Sequence, residues 1–418
     1  FVRLLDILAQ DYDVALMNPP YGSRNRMPDV VTDYIEKADG FDYTPEFYIN
    51  FFEVCETLSK ESGRVGMLVP RSFMFKRRFT QFRTDFVGKD GSFDFLAEYG
   101  LGILDNATVR TIGTVVRIDQ SEDETADFIR LSDVRTLEKE ETFIQSVFDS
   151  GDDAVDRVYH VDISEFQKVP WVPLSYWTPS EIRDLHDTEL KLDSSVADID
   201  AKSVGKAAKG MDTGDNDRFI QTHWESEEDR NFIPYAKGGS DAWVKPETKL
   251  TLNWHGDGRE LSRFPKSNLK NSQYYQKEGL TWTYAKETGR RFGYFPPDGA
   301  FDGKGSMFFS DGVNPWTLMA ALNSALYHNL FLSLTPERDW QVGDVGRIPW
   351  IESLEETALS ELAQQQYDLA LEAAFSVPTS PHYKGPDLLP TADNFFYEHP
   401  YTDLEHDIDS QENRIRPA

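Results

Sequence analysis

The stretch DVALMNPPYGSRNR, residues 13–26, constrains the fold more than any other part of the chain. Asp13 to Met17 is a short apolar run bounded by turn formers, the pattern of a buried strand. Pro19 and Pro20 end it, because two consecutive rings supply no N–H and fix φ, so neither helix nor ladder can continue. Asn18 and Tyr21 are thereby presented at the strand's carboxyl end, the rim where open α/β sheets bind ligands.

Beyond that strand the pattern alternates. A helix is predicted over 45–60, where Phe47, Phe51, Val54, Cys55 and Leu58 recur with a 3.6-residue period, then a strand over 64–70, a helix over 72–87 and strands over 93–99, 109–118 and 126–131. Such alternation predicts a mostly parallel sheet covered on both faces. The last two strands are joined by only QSEDET, too short for a parallel crossover, so an antiparallel edge hairpin is expected. The fold class is therefore α/β: a partial sheet similar to that of Rossmann-like methyltransferases, with an antiparallel edge hairpin, followed by an irregular α+β region.

DSGDDAVDR, residues 149–157, reads as a linker, which divides the chain into 1–150, 151–350 and 351–418. The middle part is rich in Trp, Gly, Asn, Asp and Lys, with little helical period until 315–332. The last part opens on an amphipathic helix, EETALSELAQQQYDLALEAAFS, and continues past Pro378 as an acidic, proline-punctuated tail.

Charge complicates any reading of partners. A formal charge of -29 argues against a polyanionic ligand, whose binders are basic. An acidic surface also keeps proteins soluble in concentrated salt, and at about 1 M salt a Debye length near 3 Å removes most of the net repulsion. A halophilic setting is expected on that ground. Against the acidic background, RSFMFKRRFTQFR at 71–83 places Lys76, Arg77 and Arg78 together with no acid, and 259–304 is rich in Arg and Lys. The one cysteine, Cys55, excludes an intrachain disulfide and cysteine-based metal clusters, and fits a reducing cytoplasm. No His spacing suggests a metal, and no apolar run approaches the roughly 20 residues of a membrane span. The chain opens on FVRLLDILAQ without an initiator Met and reads as starting inside a longer protein.

The rim residues suit one chemistry in particular. An exocyclic amine on adenine is a poor nucleophile because its lone pair is delocalised into the ring. Two acceptors holding both amine hydrogens favour a pyramidal nitrogen, and the Asn18 side-chain oxygen and Pro19 carbonyl can be those acceptors. Pro20 stiffens the loop, and Tyr21 offers a flat face to a base extruded from a duplex. As a bare tetrapeptide, Asn-Pro-Pro-Tyr is also a strand-ending turn or a proline-rich ligand motif.

Residues 11–118 resemble the second half of an adenine-specific DNA methyltransferase of the gamma class, through DYDVALMNPPYG and PEFYINFFEVCETLSKESGRVGMLVPRSF. The resemblance implies S-adenosyl-L-methionine as cofactor, held by Asn18 and by Phe51 against its adenine, and double-stranded DNA with a flipped adenine as substrate. Where such enzymes often place a second aromatic, this chain has Leu104. KGMDTGDNDRF, PYAKGGSDAWVK, LNWHGDGREL, EGLTWTY and WQVGDVGRIPW resemble the BREX phage-defence methyltransferases, the PglX family. That likeness implies modification of an asymmetric site so that self DNA is marked, alongside other defence-system proteins.

The region 151–350 is the candidate target-recognition domain. Lys237, Trp243, Trp254, Trp282, Arg290 and Arg291 are expected to stack on bases or neutralise phosphate, as are Lys245 and Arg259, while Asn216 and Arg218 have the amide and fork geometry that reads base edges. Tryptophans are more often core, and Gly-Asp-Asn-Asp is more often a turn. The glycine-rich turn and ribose-holding acid of such enzymes should precede Asn18, and residues 1–12 contain neither, so the chain alone is expected to be inactive. A non-catalytic DNA-recognition module and a protein-glutamine methyltransferase remain as alternatives, the second disfavoured by the large added domain. No nuclease signature stands out.

Overall fold

The first sheet starts at β1 (Tyr12–Met17), which stops at the residue before Asn18. A computed structural model describes Arg3, Ile7 and residues 9–384, apart from 23, 44–45, 86–91, 105–108, 119–124, 149–156, 227–230, 239–243, 283–290, 337–338 and 357. The chain divides into two units, 1–187 with 333–335, and 188–332 with 336–418.

In the first unit the elements run β1, α1 (Asp29–Lys37), α2 (Phe47–Thr57), β2 (Ser59–Pro70), β3 (Ser92–Gly100), β4 (Thr111–Arg117), β5 (Thr125–Arg130), α3 (Lys139–Phe148) and β6 (Val158–Asp162). The sheet order is β1-β2-β4-β3-β5-β6. β1 lies parallel to β2 and β3 parallel to β5, whereas β4 is antiparallel to both its neighbours and β6 antiparallel to β5. From α2, Tyr48, Ile49, Phe52 and Cys55 are buried with Val65, Met67 and Val69 of β2, and Phe73, Phe79 and Phe82 belong to the same cluster. Each such side chain contributes roughly 1.5–3 kcal/mol when removed from water. Burial pushes the Cys55 thiol up, so it stays protonated and acts as a small apolar group.

Three expectations are corrected here. β4 and β5 do not form a hairpin: β3 lies between them, antiparallel to β4 and parallel to β5. The short connection did fix the opposite direction of the two strands, but strands two apart are only about 10 Å distant, a gap a short connection can span. The helix expected over 72–87 is broken into turns at Arg71–Met74 and Arg77–Phe79 and a short helix at Thr80–Phe82. Arg83, 1% exposed, stabilises this break by donating to the carbonyls of Phe73, Lys76, Trp171 and Val172. Those carbonyls are the ones a continuous helix or regular loop would have satisfied. Trp171 and Val172 have positive φ, 69° and 50°, a costly backbone for a β-branched residue that the Arg83 fork holds in place. Finally, β1 is only half buried. Val14 is 53% and Leu16 78% exposed, because β1 pairs with β2 on one edge and no described element covers that face.

β6 carries the first sheet beyond residue 150, and the unit runs on to Asp187; of the expected linker, 149–156 lie outside the described residues. The second unit holds β7 (Leu190–Lys191) and β8 (Lys202–Ser203), paired parallel, and two four-stranded sheets. β9 (Gly205–Ala208), β13 (Gly279–Trp282), β14 (Phe292–Phe295) and β16 (Met307–Ser310) form one, in the order β14-β13-β16-β9. β10 (Ile220–Thr222), β11 (Phe232–Ala236), β12 (Leu250–Asn253) and β15 (Ala300–Phe301) form the other, in the order β10-β12-β11-β15. The helix expected over 315–332 is two, α4 (Pro315–Leu322) and α5 (Ala325–Leu334). The break falls at Asn323, whose side-chain oxygen accepts the Arg291 and Phe292 backbone N–H groups and whose amide nitrogen donates to the Phe292 and Met319 carbonyls. The amphipathic helix is α6 (Leu359–Ala374), whose Tyr367 meets Trp316 of α4 edge-on at 5.2 Å. The tail beyond residue 384 lies outside the described residues.

Candidate functional site

Asn18 and Pro20 are exposed and Pro19 is buried, so the loop after β1 is pinned at its middle while the Asn18 amide faces outward. Tyr21 sets the geometry of this rim. Its ring is half-buried against the aromatic core, edge-on to Tyr48 at 6.4 Å. Its hydroxyl lies 3.0 Å from the Leu68 carbonyl of β2 and 3.3 Å from Asn18 Oδ1. Burial pushes the phenol up, keeping it a donor, and one proton serves one of these acceptors at a time. The shorter contact is to Leu68, so the Asn18 oxygen is the more weakly held.

Gly22, buried, accepts the Phe47 N–H at 3.0 Å, tying the loop to the start of α2; a side chain at residue 22 would press on the Phe47 ring. That helix start is built from buried polar groups. The Asn50 amide accepts from the Glu46 N–H and donates to Glu53, and the Glu53 carboxylate accepts the Asp42 and Tyr43 N–H groups. Tyr48 shares a hydrogen bond with Ser72 at 3.1 Å, and beside it Arg71 and Glu98 form a buried ion pair at 2.5 Å that also receives the Tyr176 hydroxyl. The carboxyl ends of β2 and β3 are thereby fixed to each other. Phe51 is half-buried on the same helix and packs against the core, and Leu104 is half-buried.

Lys76, Arg77 and Arg78 are all exposed. Arg77 covers the Trp171 ring at 4.9 Å, and Arg78 covers Phe79 at 4.6 Å while pairing with Glu46 at 2.7 Å. Burial pushes the Glu46 carboxyl up, against the opposing pull of Arg78, Lys76 and Arg26. Arg78, Lys76 and Arg26 thus gather positive charge around one acid at the start of α2, which the Gly22 carbonyl ties to the Asn18 loop. Arg26 and Glu46 were not singled out from the sequence, because neither stands in a basic run or a recognisable motif.

In the second unit the expected residues separate sharply. Trp282 is 1% exposed, donating its indole N–H to the Trp340 carbonyl, and Trp254 is buried edge-on to Tyr275. Arg291 is 3% exposed and stacks 3.8 Å over Trp340; burial pulls its guanidinium down to about 10. Lys245 is buried as well. These four are core groups and cannot reach a duplex, which corrects their expected role. Trp243 and Arg290 lie outside the described residues, and Lys237 is half-exposed after β11. Asn216 and Arg218 are exposed on one helical turn capped by Asp215. The Asn216 oxygen accepts the Thr213 hydroxyl, and the Arg218 fork reaches Glu260 at 2.6 Å.

Residues 4–94 match the Eco57I restriction-modification methylase model. The chain is similar to adenine-specific methyltransferases. It is 25% identical to the adenine-specific methyltransferase BrxX of Escherichia coli O9:H4 (strain HS) over 387 residues, 88% of this chain and 30% of that protein. Against the adenine-specific methyltransferase PglX of Lacticaseibacillus casei (strain Zhang) it is 23% identical over 380 residues, 83% of this chain and 30% of that one. The chain thus spans under a third of the length of these curated relatives. Its fold is similar to that of the ATP-dependent Type ISP restriction-modification enzyme LlaBIII bound to DNA, with a TM-score of 0.50 at 11% identity, over 89% of this chain and 30% of that one. No described helix is long and apolar enough to cross a membrane, and no group of metal-ligating side chains occurs among the described residues.

Proposed function

We propose that this chain supplies the amine-holding loop and the target-recognition part of an S-adenosyl-L-methionine-dependent enzyme that methylates the exocyclic amine of adenine in a specific DNA sequence. The observation that carries the reading is the Asn18 amide, exposed at the end of β1 with its oxygen only weakly engaged by Tyr21. The adenine, flipped from the duplex, lies against Tyr21. One amine hydrogen is accepted by Asn18 Oδ1 as the Tyr21 hydroxyl settles on Leu68, and the other by the Pro19 carbonyl. Held this way, the nitrogen directs its lone pair away from the loop, and after transfer one proton leaves it for solvent. Phe51, half-buried beside a fixed core, fits one side of an adenine ring, so Phe51 and Asn18 are the residues of this chain that would hold the cofactor. The cofactor contributes an electrophilic methyl group. Lys76, Arg77 and Arg78 fit the DNA backbone near the flipped base. The BrxX and PglX likeness supports a role in marking self DNA in a phage-defence system, working with other proteins in a salt-rich cytoplasm.

The test is Asn18→Ala in the protein that carries this chain, with labelled methyl incorporation and DNA affinity measured side by side. Loss of one preorganised acceptor is expected to cost about 3 kcal/mol, a 100-fold or greater fall in rate, with affinity retained. A variant keeping a tenth of the activity would remove Asn18 from this role. A wild-type protein that binds DNA without methylating it would instead favour a non-catalytic recognition module.

A further inference from the structure

A cleft of about 630 Å³ opens in the second unit, lined by Arg218, His255, Gly256, Arg259, Glu260, Arg263, Phe264 and Pro265. It is where two separate segments meet, TGDNDRF at 213–219 and LNWHGDGREL at 252–261. Three arginines face one carboxylate there, in a chain whose formal charge is -29. The one carboxylate, Glu260, is engaged by Arg218 through Nε at 3.2 Å and Nη2 at 2.6 Å. Arg259 and Arg263, four residues apart on one helical face, are exposed and have no acidic partner among the described residues.

The walls of the cleft are fixed. Phe219 and Phe264 lie 5.3 Å under the Arg218 guanidinium and hold its plane. Gly256, Asp257 and Gly258 are left-handed in succession, with the turn closed by the Gly258 N–H on the Trp254 carbonyl. Gly258 is required, since a Cβ there would meet the Trp254 ring at 2.7 Å, and Asp257 adopts a conformation that costs a non-glycine residue about 1 kcal/mol or more. Asp257 itself does not line the cleft.

We infer that this cleft is a phosphodiester clamp for the DNA backbone, in which Arg259 and Arg263 take the phosphate and Glu260 holds Arg218 in reserve until DNA arrives. The inference rests on the DNA-methylation reading above and adds to it where and how the duplex is gripped. Two unpaired guanidiniums on one face suit a doubly contacted phosphate. Glu260 keeps the cleft from binding any anion indiscriminately, because its charge opposes the same phosphate that releases Arg218.

The experiment titrates labelled target and scrambled duplexes by fluorescence anisotropy across a series of salt concentrations. Arg259→Gln with Arg263→Gln should flatten the plot of log affinity against log salt by about 0.9, the share of the one phosphate the two hold together, for both duplexes alike. Arg259→Lys with Arg263→Lys should keep the wild-type slope. Glu260→Gln should tighten both duplexes about two- to fivefold. Arg135→Gln, exposed and far from the cleft in sequence, serves as the control and should change nothing. An unchanged slope in the glutamine pair, with wild-type binding intact, overturns the clamp and leaves the methylation reading standing. A lysine pair that behaves like the glutamine pair overturns it too, because charge would not be what matters. Wild-type binding insensitive to salt overturns both.

Discussion

Tyr21 offers the sharpest test of the rim, because its two substitutions separate the hydroxyl from the ring. Tyr21→Phe removes a hydroxyl that lies 3.0 Å from the Leu68 carbonyl and 3.3 Å from Asn18 Oδ1. Losing one such neutral hydrogen bond in a half-buried setting costs about 1 kcal/mol, or roughly fivefold in the population of the correctly placed loop. The unoccupied Asn18 oxygen gains little in return, since a 3.3 Å contact is weak. Tyr21→Ala loses this bond and the ring as well. Base stacking contributes about 1–3 kcal/mol, so the total of about 2–4 kcal/mol predicts a 30-fold or greater loss. Methyl incorporation into target duplex measures the rate. Fluorescence of 2-aminopurine at the target position measures extrusion of the base. Phe should retain about a fifth of the rate with normal extrusion, and Ala should fail at both. Equal damage from both changes refutes the stacking role, and undiminished activity in Ala refutes the placement of the base altogether.

Glu98→Gln leaves the buried Arg71 charge uncompensated and should destabilise the first unit by about 3–5 kcal/mol in denaturant titrations. Arg291→Ala should lower stability through its lost contact with Trp340 yet leave the salt slope of DNA binding unchanged, as befits a core cation. Burial, aided by Arg291, holds the His328 imidazole below its ordinary value, so the unfolded chain takes up the proton first. The stability this contributes is complete above the unfolded pKa near 6.5 and is lost as pH falls through the lower folded value. The denaturation midpoint should therefore fall as pH drops below neutrality, and His328→Gln should flatten that dependence.

What could be read from the sequence was local. The strand at 13–17, its arrest by Pro19 and Pro20 and the helix at 45–60 depend on neighbours a few residues away, and β1 and α2 follow them closely. The helix over 72–87 was expected from the alternation of strands and helices along the chain. What breaks it is Arg83 reaching carbonyls at 171 and 172, nearly ninety residues on, which no window detects. Strand adjacency failed for the same reason, since the direction of β5 is set by its connection but its neighbour is set by β3. Composition misled at Trp254, Trp282 and Arg291: an aromatic and cationic mixture looks alike on a DNA-facing surface and in a core where guanidinium stacks on indole. The asymmetry of the Arg218 cleft was half visible, its cations in the sequence and the carboxylate that restrains them only in space.

The position of β4 between β2 and β3 also governs how the chain can assemble as it is made. When Gly100 leaves the ribosome, β2 has a partner in β1 alone, and β3 has none. Both wait for a strand that comes after them: β4 pairs with β2 over 64–70 and with β3 over 92–100 in one step. At about 5–20 residues per second, the seventeen residues from Gly100 to Arg117 take on the order of one to three seconds. Through that interval two apolar strands present open edges on the same nascent chain. Faster translation of residues 101–117 should therefore raise the yield of soluble protein, and a pause engineered there should send more of it to chaperones.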